Sequence, residues 1–145
     1  MSKILATITA LGAYVPEHIL SNAMLENMVD TNDEWITART GIKERRILKE
    51  NGKGTSYLAI NAAKDLIKKA ELDPSTIDLV IVATATPDMK AASTASFTAT
   101  AIGACNAFSF DMDSACSGFL FGMSTAASYI ESGRYKKILL IGADT

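Results

Sequence analysis

The sequence predicts an α/β layered fold, and three observations carry that prediction. Residues 77–85 and 136–143 are near-continuous apolar runs of the kind buried on both faces of a parallel sheet. Between and before them lie stretches whose apolar residues recur at helical spacing. The order of these segments, βααα-β-α-β-α-β, is that of strands joined by right-handed helical crossovers.

Taken along the chain, residues 4–13 are rich in branched and apolar side chains with threonines interleaved, and Gly12 and Pro16 punctuate their end, so they read as a first strand. Ser21 or Asn22 can cap a short helix carrying Met24, Leu25, Met28 and Val29. Thr31-Asn32-Asp33-Glu34 matches a capping box, with Thr31 as cap and Glu34 reaching back to the cap amide. The helix it opens carries Trp35, Ile36, Ala38 and Arg39 and stops at Gly41. Residues 42–54 alternate Lys, Arg and Glu around Asn51-Gly52-Lys53-Gly54 and read as a solvated loop.

Helix restarts at Thr55. Leu58, Ala62, Leu66 and Ala70 recur every four residues, and the pattern ends near Glu71, before Asp73-Pro74. The strand 77–85 follows and ends at Thr86-Pro87-Asp88. Residues 93–104 are nearly all small and fit a helix packed close against a neighbouring backbone. Residues 107–112 read as a strand, 117–131 as an amphipathic helix stopped by Gly133, and 136–143 as a last buried strand.

Composition narrows the function classes. The chain has 145 residues, 48% apolar and 21% charged, with a net charge of -2, which suits one ordinary globular domain and offers no electrostatic footprint for nucleic acid. No apolar run approaches the ~20 residues of a membrane-spanning helix. The start turns polar at Thr7 and Thr9, unlike a secretion signal, so the expected location is cytoplasmic. In such a chain Cys105 and Cys116 read as free thiols. Neither a 20–50 residue repeat nor a low-complexity tract occurs. The chain stops directly after a buried strand with no covering helix, so it is expected to be one half of a larger unit.

Cys116 lies in Asp113-Ser114-Ala115-Cys116-Ser117-Gly118, where a predicted strand meets the next helix. A helix amino terminus presents unpaired amides and the positive end of the macrodipole, which favour a thiolate that can attack an acyl carbonyl. The alternative is a small buried hydrophobe, the setting of most free cysteines; Cys105 lacks the helix-terminus setting and reads as a core or loop residue. Gly118 and Gly122, four apart, permit close helix packing. His18 is the only histidine; it sits in a loop after Pro16 with no context for a base. One histidine and two distant cysteines give no metal-ligand spacing. Trp35 and Arg39 fall on one helix face, the ring available for stacking and the guanidinium for phosphate, although a tryptophan near a helix start is commonly core. No dinucleotide fingerprint or phosphate-binding loop occurs.

Several motifs together resemble the β-ketoacyl-acyl carrier protein synthase III family of thiolase-like condensing enzymes. They are Val29-Asp30-Thr31-Asn32-Asp33-Glu34-Trp35-Ile36, Arg39-Thr40-Gly41-Ile42, Glu44-Arg45-Arg46, residues 78–86, Phe110-Asp111 through Ala115-Cys116-Ser117-Gly118-Phe119, and Ser132-Gly133-Arg134-Tyr135-Lys136 through Gly142-Ala143-Asp144. The resemblance implies a thiolase-like fold built of two similar halves, of which residues 1–145 are the amino-terminal one, with a five-stranded mixed sheet and helices on its faces. It implies that Cys116 takes an acetyl group from acetyl-CoA, a substrate rather than a bound cofactor, and that malonyl-acyl carrier protein is then decarboxylated and condensed to acetoacetyl-acyl carrier protein. Thr31, Trp35 and Arg39 match positions that contact coenzyme A, and the assembly implied is a homodimer. No permanent cofactor, metal, membrane or nucleic-acid partner is implied.

The sequence departs from the family in two respects: Met89-Lys90-Ala91-Ala92-Ser93-Thr94-Ala95 stands where many members carry an aromatic-proline pair lining the acyl pocket and the dimer contact, and residues 1–145 do not include the family's catalytic His and Asn. The family's catalytic His and Asn, and a partner for the Cys116 amide in the oxyanion hole, belong to the second half. Two rival readings stand beside this one. One is another thiolase-like condensing enzyme, making a secondary metabolite or hydroxymethylglutaryl-CoA. The other is a non-catalytic half-domain that dimerises or acts as a scaffold. Lys43, Arg45 and Arg46 read either as an attractive patch for an acidic carrier protein or as a solvated loop.

Overall fold

The computed structural model describes residues 4–145, and the chain divides into two compact units. The larger comprises residues 4–14 together with 54–145, and the smaller is Val15–Lys53.

The smaller unit is built from β1 (Ile19–Ser21), α1 (Asn22–Glu26), α2 (Asp33–Thr40) and β2 (Glu44–Arg46). β1 and β2 pair antiparallel, with Leu20 opposite Arg45. The segment read as a solvated loop therefore contains a short strand, because the backbone of Glu44–Arg46 finds a partner although its side chains show no hydrophobic period. Ser21 caps α1 through a bond from the Met24 amide, as expected. The cap of α2 is Asn32, not Thr31: its Oδ1 accepts the Trp35 amide at 2.7 Å, and Glu26 accepts the Asp33 amide at 2.7 Å. Asparagine is at least as good an N-cap as threonine, and it stands one residue closer to the helix. Gly41 ends α2 in the left-handed region at φ 70°, where a glycine pays no steric penalty.

Asn22 holds this unit together. It is 2% exposed, and its Nδ2 donates to Asp33 Oδ1 at 2.7 Å and to the Ile42 carbonyl at 2.8 Å, while its Oδ1 accepts from Arg45 Nη1. Arg46 pairs with Glu44 at 3.5 Å. His18, expected on the surface, is partly buried, and its Nε2 is enclosed with no hydrogen-bond partner among the described residues.

The larger unit contains α3 (Thr55–Ala70), β3 (Leu79–Ala83), α4 (Thr94–Ile102), β4 (Phe108–Met112), α5 (Gly118–Glu131) and β5 (Ile138–Gly142). Its sheet has three strands in the order β4-β3-β5, all parallel, with Leu79 level with Phe108 and Ile138 and Ala83 level with Met112 and Gly142. β3 is central, and all five of its residues are buried, as a run apolar on both faces requires. The connection through α4 moves the chain to one side of β3, and that through α5 carries it back to the other. Right-handed crossovers then place the two helices on opposite faces. Val80, Val82, Leu139 and Ile141 accordingly join Ala59, Ala63, Ala95 and Ala99 of α3 and α4 in one core, while α5 packs on the other face.

In place of the single five-stranded mixed sheet expected from the resemblance, the described residues hold this three-stranded parallel sheet and the separate antiparallel pair β1-β2. The expected first strand, residues 4–13, is not one. Ile4, Leu5, Ile8 and Leu11 do not alternate and are exposed, the Ala13 amide donates to Asp65 of α3 at 2.9 Å, and Gly12 lies against the α3 backbone. An extended, β-rich composition makes a strand only where another strand offers its edge.

Candidate functional site around Cys116

β4 ends at Met112, and two residues later the chain enters a single 3-10 turn, Ala115–Ser117, that runs directly into α5. Cys116 is the middle residue of that turn. Its thiol is exposed, so the buried-hydrophobe reading does not apply to it. The turn stands at the carboxyl ends of parallel strands, the end at which open α/β sheets bind ligands.

Local geometry explains how the turn is held. Ala115 has φ 45°, a left-handed conformation that costs a residue with a Cβ of the order of 1–3 kcal/mol. The Asp113 carboxylate accepts the Ala115 amide at 3.4 Å, and the Ser117 amide donates to the Ser114 carbonyl at 3.1 Å. A Cβ at Gly118 would lie 3.4 Å from Ala83 Cβ, an ordinary contact, so the packing does not require a glycine there. Four residues on, a Cβ at Gly122 would lie 2.5 Å from Leu140 Cδ1, so of the two glycines it is Gly122 that serves close packing.

Cys116 lines a cavity of about 230 Å³ with Ala83, Ala115, Phe119, Gly142, Ala143 and Asp144. Small residues at the ends of β3 and β5 leave this space, and Phe119 bounds it against Gly142. Cys105, also exposed, lies in the turn between α4 and β4 and is not part of the lining.

Two carboxylates that sequence reasoning passed over organise the surroundings. Asp144 Oδ1 accepts the Ala85 amide at 2.8 Å, Thr84 Oγ1 at 3.0 Å, Thr86 Oγ1 at 3.1 Å and the Thr86 amide at 3.2 Å. Burial opposes the charge on Asp144, but the bonds from Ala85, Thr84 and Thr86 outweigh it and hold the carboxyl below its ordinary range. Asp111, on β4, accepts the amides of Thr94 and Ala95 at 2.7 Å each and the Ser93 hydroxyl at 3.1 Å, filling the amino terminus of α4. A polar residue inside or just beyond an apolar strand was the available signal in both cases.

In the smaller unit, the Arg39 guanidinium carbon lies 4.6 Å from the centre of the Trp35 ring. Both side chains are exposed, Trp35 at 51%, so the indole is not a core residue. Thr31 is half-buried, just before the α2 cap. No group of His, Cys, Asp and Glu among the described residues could hold a metal ion, and no described helix is long and apolar enough to cross a membrane.

Residues 110–145, which contain the turn and every residue of the cavity lining except Ala83, match the family model of 3-oxoacyl-[acyl-carrier-protein] synthase III. The chain is 58% identical over 144 residues to beta-ketoacyl-[acyl-carrier-protein] synthase III 2 of Bacteroides thetaiotaomicron, a match covering 99% of this chain and 43% of that protein. The crystal structure of 3-oxoacyl-[acyl-carrier-protein] synthase III from Aquifex aeolicus superposes with a TM-score of 0.87 at 45% identity, over 97% of this chain and 44% of that one. The priming β-ketosynthase of the R1128 polyketide pathway gives a TM-score of 0.86 at 34% identity, over 92% of this chain and 40% of that one. The chain therefore spans less than half the length of each of these relatives. In sequence and in its thiolase-like fold, the chain belongs to the β-ketoacyl-[acyl-carrier-protein] synthase III family, and the stretch it represents is consistent with the amino-terminal half.

Proposed function

We propose that the protein containing this chain is the condensing acyltransferase that joins acetyl-CoA to malonyl-acyl carrier protein. The observation that carries this reading is the exposed Cys116 thiol, presented by a strained turn at the carboxyl end of a parallel sheet and lining a cavity of small residues. In the first step the Cys116 thiolate attacks the acetyl carbonyl, the new carbon-sulfur bond forms, and coenzyme A leaves as its thiolate. In the second, loss of CO2 from the malonyl group leaves an enolate whose carbon attacks the acyl-Cys116 thioester. Acetoacetyl-acyl carrier protein forms and the Cys116 thiolate is returned. Trp35 and Arg39 serve coenzyme A, the ring stacking on adenine and the guanidinium meeting phosphate, with Thr31 as a lesser contact.

The location is cytoplasmic and the assembly a homodimer in this reading. Residues 1–145 alone are expected to be inactive in condensation, because the decarboxylation step needs the family's second-half histidine and asparagine. The test is turnover by the full-length protein: condensation with malonyl-acyl carrier protein supports the reading, and Cys116→Ser should abolish it.

The likeness to a polyketide priming synthase favours one second reading, a condensing enzyme of secondary metabolism that uses the same thiol. The acceptor and primer separate the two. Preference for acetyl-CoA with the fatty-acid carrier protein supports the first, and preference for a dedicated polyketide carrier protein supports the second.

A further inference from the structure

The cavity beside Cys116 owes its wall to Ala83, Gly142 and Ala143, the last residues of β3 and β5 and the one that follows. Regular sheet bonding ties these ends together only as far as the Ala143 amide, which donates to the Ala83 carbonyl at 3.1 Å. On the other side the Thr84 amide still donates to the Met112 carbonyl of β4 at 3.1 Å, and past it the polar groups of the chain after β3 converge on one atom. Asp144 Oδ1 takes the amides of Ala85 and Thr86 and the hydroxyls of Thr84 and Thr86, all within 3.2 Å. The cluster extends further: the Thr145 amide donates to Thr86 Oγ1 at 3.0 Å, and the buried Thr55 hydroxyl, at the start of α3, donates to the Thr86 carbonyl at 2.6 Å.

One carboxylate oxygen thus replaces a missing rung of the sheet at the level of the nucleophile. A neutral side chain without an acceptor would leave the Ala85 amide and the Thr84 hydroxyl competing for water at the cavity wall, and would leave Thr86 held only by Thr84 Oγ1, at 3.1 Å from its amide, and by Thr55 and Thr145. Charge-assisted bonds are shorter and stronger than neutral ones, which suits a carboxylate to gathering several donors.

We propose that Asp144 is a positioning residue for Cys116, fixing the turn 84–86 against the end of β5 and so setting the wall against which the thiol meets an acyl group. This rests on the reading of Cys116 as the acyl acceptor. Asp144 itself needs no contact with the reacting atoms.

The experiment uses the full-length protein with Asp144→Ala, Asp144→Asn and Thr84→Val. It measures the single-turnover rate of acetyl transfer to Cys116, the KM for acetyl-CoA, the rate of alkylation by iodoacetamide and the thermal midpoint. Displacement of a reacting group by about 1 Å costs up to ~100-fold, so Asp144→Ala should slow acetyl transfer by about tenfold or more with KM little changed. Asp144→Asn, which keeps an acceptor oxygen, should recover most of that loss. Thr84→Val should fall between them, and it carries the test if Asp144→Ala does not fold. An undiminished transfer rate in folded Asp144→Ala or in Thr84→Val, or no recovery in folded Asp144→Asn, would overturn the proposal. If the unaltered protein takes up no acetyl at Cys116, the acyl-acceptor reading fails separately; the iodoacetamide rates then still show whether Asp144 governs the presentation of the thiol.

Discussion

Gly122 of α5 sits so close to Leu140 of β5 that a single added carbon would lie 2.5 Å from Leu140 Cδ1 and 3.3 Å from Cδ2. This is the contact that lets the helix leading away from Cys116 lie on the sheet. Alanine gains about 1 kcal/mol of helix propensity over glycine, whereas overpacking costs about 1–3 kcal/mol. Gly122→Ala should therefore destabilise by about 0–2 kcal/mol, and Gly122→Val by more, since it adds volume and a stiff branched side chain. Denaturant unfolding checks this. A double-mutant cycle with Leu140→Ala should return a favourable coupling of about 0.5–3 kcal/mol.

Trp35 and Arg39 make the opposite case, a contact whose loss should be felt by a ligand and not by the fold. Truncating a core tryptophan costs about 3–5 kcal/mol. With Trp35 at 51% exposure, Trp35→Ala should leave the melting temperature nearly unchanged while weakening coenzyme A binding. Calorimetric titration of the full-length variant with coenzyme A checks it; a lower melting temperature with unaltered affinity would return Trp35 to a structural role.

Asn22 should behave as a structural pin. Asn22→Ala strips partners from Asp33, the Ile42 carbonyl and Arg45 at a site that is 2% exposed. Asp33 and Ile42 are exposed and water can take up their groups, so the cost is that of the lost bonds at the buried Asn22, about 1–3 kcal/mol, read by thermal unfolding. Hydrogen exchange should localise the loosening to residues 15–53.

The acid limb of stability has a definite sign. Amide bonds from Lys136 and Lys137 hold the Asp78 carboxyl below its ordinary value of 3.8. Asp65 is lowered by its bond from Lys69 and then by the Ala13 amide, and Asp73 by the Ser75 hydroxyl and amide. For a group whose folded pKa lies below its unfolded one, the stabilisation is present above the unfolded pKa and lost as pH falls through the folded value. These groups therefore add nothing to the pH dependence above about pH 5, and their stabilising contribution is lost as pH falls below about pH 4. Asp78→Asn should make the loss between pH 4 and pH 2 shallower, as measured by the denaturation midpoint against pH.

What could be read from the sequence follows the reach of each interaction. β3 was legible because burial on both faces demands an unbroken apolar run, and α3 because one face repeats Leu58, Ala62, Leu66 and Ala70. The position of Cys116 between strand and helix was legible for the same reason, since it needs only two neighbouring elements. Residues 4–13 misled because their composition carries β propensity but says nothing about whether a strand edge awaits them. β2 was hidden because pairing is a backbone property that charged side chains do not advertise. Asp144 and Asp111 were missed because their partners lie 58–60 and 16–18 residues away in sequence, and local pattern does not report contacts that the crossovers create.

The central claim is that Cys116, and not Cys105, accepts the acyl group, although both thiols are exposed. The direct measurement is peptide-level mass spectrometry of the full-length protein quenched in acid after brief exposure to acetyl-CoA. The account predicts a single acetyl group on the peptide containing Cys116, lost on later addition of malonyl-acyl carrier protein. Acetyl on Cys105, or none on Cys116 under conditions where product forms, would contradict it.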